Sequence, residues 1–203
     1  MNGKIVIIEG VEGVGKSTLI GELKKIYTGR GRDIKIWKFP DISHLYGEEI
    51  YEMLNDSSKY NPLAFQIGVT AQIMRELSSI KKAKEDGYIV LIERCFLSVM
   101  AYGYVEGIPE SIIKSIGNDI NKFIDYDVMI LLALRPDSVP FDVEKCDRYK
   151  GKSDVLQIIN SFMRGFIKDF KAYKIMVDGS KSIVGLGKLA FVYIDVGDIN
   201  NMR

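Results

Sequence analysis

KIVIIEGVEGVGKST, Lys4 to Thr18, is the stretch from which the fold can be read. Ile5, Val6, Ile7 and Ile8 make a continuous β-branched run, the pattern of a strand buried on both faces of a parallel sheet. Gly10 to Ser17, GVEGVGKS, fits G-x-x-x-x-G-K-[ST], the phosphate-cradling P-loop. Leu19, Ile20, Leu23 and Ile26 then share one helical face. Strand, glycine loop and helix thus follow in the order that phosphate binding needs. Gly10, Gly13 and Gly15 let backbone N–H groups turn inward around phosphate oxygens. The helix N-terminus adds partial positive charge. Lys16 is placed to reach the β- and γ-phosphates and Ser17 to hold Mg²⁺. Val14 and Thr18 complete the same nucleotide-binding run.

Composition bounds the rest. The chain has 203 residues, 47% apolar and 27% charged, which supports one domain over residues 1–203 with a sizeable core. A net charge of +1 gives no general pull toward nucleic acid or membrane. No apolar run approaches the ~20 residues of a membrane span, and no signal peptide precedes the first strand. A cytoplasmic protein is expected. Cys95 and Cys146 fit no metal spacing and read as reduced thiols.

Outward from the loop, strands and helices alternate. Apolar runs at Ile34–Trp37, Tyr88–Ile92, Val128–Leu134 and Lys174–Asp178 add four strands to the first. Helices are expected over Gly47–Leu54, with Ile50, Met53 and Leu54 inward, and from Asn61-Pro62 to about Lys84. There Asn is the N-cap and Pro the first helical residue, with Leu63, Ile67, Ala71, Met74 and Leu77 as the core stripe. Further helices are expected over Phe96–Tyr104, after Pro109 (Ile112, Ile113, Ile116, Ile120, Phe123), from a Ser153 cap to about Lys171, and over Ile183–Ile194. Residues 136–152 have no period and read as a lid. The expectation is an α/β P-loop NTPase sandwich: a parallel five-stranded sheet, helices on both faces and a short lid. Ligands bind such sheets outside the strands' carboxyl ends. The P-loop, Phe39-Pro40 and Glu93-Arg94 each follow a strand, so all three should converge there. Arg94 suits a phosphate clamp, and Glu93 suits Mg²⁺ held through water or acceptance of a proton.

With these residues in view, the chain resembles the thymidylate kinase family. The resemblance rests on the acidic Glu12 inside the P-loop, Phe39-Pro40 after the second strand, and Glu93-Arg94-Cys95-Phe96-Leu97-Ser98-Val99-Met100-Ala101-Tyr102 after the third. Asp147-Arg148-Tyr149 in the lid and Val177-Asp178-Gly179-Ser180 on the last strand complete it. The resemblance implies transfer of the γ-phosphoryl of ATP to dTMP. Gly10, Glu12, Gly13, Val14, Gly15, Lys16, Ser17 and Thr18 would hold ATP, with Mg²⁺ on Ser17 and Glu93. Glu12 would face the sugar 3′-hydroxyl and Arg94 the acceptor phosphate. Arg148 would close over the moving phosphoryl group, and Tyr149 would pack near the deoxyribose. Phe39, Tyr102, Gln72 and Arg75 would complete the acceptor site. It also implies a homodimer through helices that flank the sheet.

The sequence departs from the family at three kinds of position. Ile42 stands where many relatives carry an arginine that grips the acceptor phosphate, and Lys38 or His44 would substitute. Val69 and Ile73 stand where relatives carry a phenylalanine and an arginine that contact the base. Glu93 and Cys95 replace Asp and Tyr. A deoxynucleoside kinase also carries Ile-Glu-Gly (Ile8-Glu9-Gly10) and Glu-Arg, but Phe39-Pro40 replaces its Glu-Pro. A nucleotide-binding module without catalysis is the third reading.

Overall fold

The computed structural model describes residues 2–135, 152–170, 172–177 and 185–195. Five parallel strands form one sheet in the order β2-β3-β1-β4-β5. They are β1 (Lys4–Gly10), β2 (Ile34–Lys38), β3 (Ile89–Glu93), β4 (Val128–Leu134) and β5 (Ala172–Val177). α1 (Lys16–Thr28) packs with α7 (Leu186–Asp195) on one face. On the other, α3 (Pro62–Glu85), α4 (Phe96–Val105), α5 (Glu110–Phe123) and α6 (Ser153–Phe166) pack together, and α2 (Gly47–Asn55) leans on α3. This is the three-layer α/β architecture read from the sequence.

The inner strands are apolar along their whole length because helices cover both faces. All seven residues of β4 and all five of β3 are buried. β2 is the edge. Its Ile36 is 45% exposed, and Lys35 and Lys38 sit on the same strand, where charge discourages pairing with another chain. Register aligns the ends that matter: Ile8 pairs with Glu93, and Glu93 pairs with Lys38.

Several local expectations shift. α3 begins as read, with Asn61 Oδ1 accepting the Ala64 N–H at 2.9 Å. Its buried stripe is Gln66, Val69, Gln72, Ile73, Ile80 and Ala83, while Leu63, Ile67 and Met74 of the expected stripe are exposed. Two glutamines make the true inner face look polar, so the neighbouring apolar stripe won the periodicity reading. Leu54, Ile112 and Phe123 are likewise exposed. Ser153 is the first residue of α6 and gives no side-chain cap, and that helix gives way to a 3-10 turn at Ile167–Asp169. The lid, with Arg148, Tyr149 and Cys146, lies outside the described residues.

Candidate active site

The P-loop joins β1 to α1 through backbone conformations that favour glycine. Gly10 has φ 146°, and a Cβ there would stand 2.6 Å from the Leu132 carbonyl. Gly15, at φ 98°, is the N-cap of α1 and supplies no side chain to the helix's first N–H groups. Those donors are left for an anion. Lys16 is 4% exposed and folds back over the loop, donating to the carbonyls of Gly10 at 3.0 Å and Val11 at 2.7 Å. Burial, and then the charge of Arg94, pull its ammonium down to about 7 against the opposing pull of Glu93, Glu9 and Glu12. A phosphate seated on the loop supplies the negative charge that restores it.

At the end of β3, Glu93 faces the loop. Ser17 Oγ donates to its two carboxylate oxygens at 3.1 and 3.0 Å, and Lys38 Nζ lies 3.8 Å away from one of them. A P-loop Mg²⁺ takes the serine oxygen, phosphate oxygens and water, and needs few carboxylates. This hydroxyl–carboxylate pair fits that ion. The Phe39 N–H donates to the Glu93 carbonyl at 3.0 Å, which ties the end of β2 to the same point.

Arg94 follows with φ 67°. A left-handed conformation costs a non-glycine residue about 1–2 kcal/mol, and such strain recurs where geometry matters. Its N–H donates to the Ile8 carbonyl at 3.0 Å. Its guanidinium donates to Tyr102 Oη at 3.1 Å and lies 5.1 Å from that ring's centroid. Tyr102 Oη also accepts the Glu12 N–H at 3.1 Å, so one phenol links the P-loop to Arg94. Beneath them Glu9 is fully buried. It accepts the N–H groups of Cys95 at 2.8 Å and Ser98 at 3.2 Å, and the Ser98 hydroxyl, all at the start of α4. Burial holds the Glu9 carboxyl above its ordinary range despite these bonds, and pushes the Cys95 thiol up as well.

One cavity of about 590 Å³ runs across these groups. Gly13, Gly15, Lys16, Ser17 and Thr18 line it together with Phe39, Arg94, Tyr102, Glu12 and Glu93. Of the two substitutes for the absent arginine at position 42, Lys38 lines this cavity. His44 is half exposed, 3.3 Å from Asp41, in a separate small hollow. Arg75 opens on that hollow too. Gln72 does not line the cavity. Its amide donates to the carbonyls of Asp41 and Leu45, each at 2.7 Å, and accepts the Asp41 N–H at 2.9 Å. Ile73 is core, whereas Val69 lines the cavity with Phe65 and Gln66. Sequence reasoning passed over Glu9 and Gln66 as site residues. The signal for both was a polar residue inside an otherwise buried stripe.

A P-loop and a strand-end arginine lining one cavity fit a P-loop phosphotransferase with a small acceptor. A family model described as thymidylate kinase matches residues 8–186. The thymidylate kinase of Caldanaerobacter subterraneus subsp. tengcongensis is 24% identical, over 93% of this chain and 93% of its own. That of Caldicellulosiruptor saccharolyticus is 27% identical over 95% and 93%. The solved structure of thymidylate kinase from Candida albicans matches the fold with a TM-score of 0.74 at 21% identity, covering 96% of this chain and 92% of that one. The chain belongs to the thymidylate kinase family, and it is an ATP-dependent nucleoside monophosphate kinase.

Proposed function

We propose that this chain moves the γ-phosphoryl group of ATP to the phosphate of dTMP, giving dTDP and ADP. The observation that carries the reading is one cavity lined by both the P-loop and Arg94. Such transfer needs positioning and spread positive charge more than covalent help. Lys16 and the first N–H groups of α1 hold the ATP phosphates. Ser17 and Glu93 would hold Mg²⁺, which would supply positive charge to the phosphate oxygens. Arg94 grips the acceptor phosphate with its planar fork, and Lys38 adds the second positive charge that Ile42 lacks. Tyr102 steadies Arg94 and Glu12 together, and Phe39 walls the acceptor. Arg148 and Tyr149 act from the lid. The deoxynucleoside kinase reading ranks second, because Phe39-Pro40 stands where those enzymes carry the Glu-Pro whose carboxylate activates the sugar hydroxyl.

Two copies are proposed to pair through α3, whose Ile67 and Met74 are exposed; light scattering of the wild type and of Ile67→Lys tests this. The function is tested by ADP release with Mg²⁺-ATP against dTMP, dUMP, dCMP, dGMP, UMP and thymidine. Stimulation by dTMP supports the reading. Stimulation by thymidine and not by dTMP overturns it in favour of a nucleoside kinase, and ATP binding without any stimulation leaves a binding module.

A further inference from the structure

Two glutamines are buried on one face of α3, and their situations differ. Gln72 is 1% exposed, and both ends of its amide are bonded to the backbone of the Asp41–Leu45 loop. Gln66 is 2% exposed and lines the cavity, and its side-chain amide makes no hydrogen bond among the described residues. Its backbone carbonyl, apart from the helix ladder, accepts from Thr70 Oγ1 at 2.7 Å. An amide carries two N–H donors and a carbonyl acceptor. The Gln66 amide opens to the cavity: among the described residues the buried side-chain atom without a partner is Asn121 Oδ1. An amide that lines a cavity with no protein partner is placed to bond a ligand group there.

The neighbours indicate which group. Of the cavity's charged residues, Glu12, Lys16, Lys38, Glu93 and Arg94 belong to the P-loop and the strand ends and suit phosphates and their metal ion, and Glu106 stands at the end of α4. The rest of the lining given by α3 is apolar, Phe65 beside Gln66 and Val69 one turn on; α4 adds Val99, Ser98 and Tyr102, and Tyr60 packs on Phe65. An amide beside apolar and aromatic side chains suits a flat ring whose edge carries a donor next to an acceptor. A cationic reader would bond acceptors only, whereas an amide requires both.

We infer that Gln66 reads the base of the acceptor nucleotide, with Oε1 accepting N3–H and Nε2 donating to O4 of a pyrimidine. This rests on the kinase reading above and deepens it: the base is recognised by an amide at position 66, in place of the contacts that Val69 and Ile73 do not supply.

The test compares kcat/KM for dTMP and for N3-methyl-dTMP, whose methyl removes the donor, in the wild type and in Gln66→Met. In the wild type, methylation lowers kcat/KM roughly ten- to hundredfold, the scale of a buried hydrogen bond with its partner left unpaired. In Gln66→Met that penalty shrinks to about threefold or less, because kcat/KM for dTMP itself falls toward that of the methylated substrate. A wild type indifferent to N3-methylation overturns the inference without any variant. An equal penalty in both proteins assigns base reading to another residue and overturns it too. A wild type that phosphorylates no nucleoside monophosphate overturns the kinase reading itself, and the role of Gln66 with it.

Discussion

Glu9 accepts the backbone N–H of Cys95 at 2.8 Å, so the end of β1 holds the residue that opens α4. Cys95 directly follows Arg94, whose left-handed backbone turns at that point. The buried Glu9 side chain thereby fixes the backbone directly after Arg94.

Glu9→Ala leaves the N–H groups of Cys95 and Ser98 without this acceptor. Each unpaired buried donor costs about 1–3 kcal/mol, so a clear loss of stability in urea is expected. The pH dependence has a definite sign. The folded state keeps the Glu9 proton at a pH where the unfolded chain has lost it, because burial raises the carboxyl above 4.5. Its contribution to stability is therefore full at low pH and falls as pH rises from the unfolded value toward the folded one. Glu9→Gln does not titrate there. The wild type should lose melting temperature relative to Glu9→Gln as pH rises above about 4.5, and a constant difference would mean that Glu9 is charged throughout.

Lys16→Ala removes the positive charge from the P-loop. Loss of one preorganised electrostatic group lowers kcat by about 10²–10³-fold. Steady-state ADP release with saturating dTMP measures it, and near-normal turnover would remove Lys16 from the phosphate site.

Arg94→Ala should raise the dTMP KM or lower kcat by about a hundredfold, the order of a lost charged contact of ~3 kcal/mol. Tyr102→Phe removes the oxygen that joins Arg94 to the Glu12 N–H, so a smaller loss, about tenfold, is expected from misplacement. If Tyr102→Phe matches the wild type in acceptor kinetics, the phenol is not steadying Arg94.

Gln72→Ala tests a residue that acts from outside the cavity. It frees three backbone groups of the Asp41–Leu45 loop and should lower stability by about 1–3 kcal/mol. Phe39, Pro40 and Ile42 line the cavity from this stretch, so the dTMP KM should rise severalfold while ATP affinity holds. Unchanged KM with lowered stability would confine Gln72 to the fold.

The amino-acid sequence determined the layered α/β architecture and the phosphate end of the site. A P-loop is local: a strand, three glycines, a lysine and a helix start lie within fifteen residues, Lys4 to Thr18, so spacing alone specifies their geometry. The inner strands were legible for a related reason, because burial on both faces leaves an apolar run that needs no phase. The acceptor end was decided by the tertiary structure. Which stripe of α3 faces inward depends on what the other elements offer it, here the backbone of the Asp41–Leu45 loop for Gln72 and an open cavity for Gln66. Periodicity counts apolar residues and cannot see a polar side chain whose partner is far away in sequence. The same holds for Glu9, which meets Cys95 and Ser98 only once β1 and β3 have paired in register.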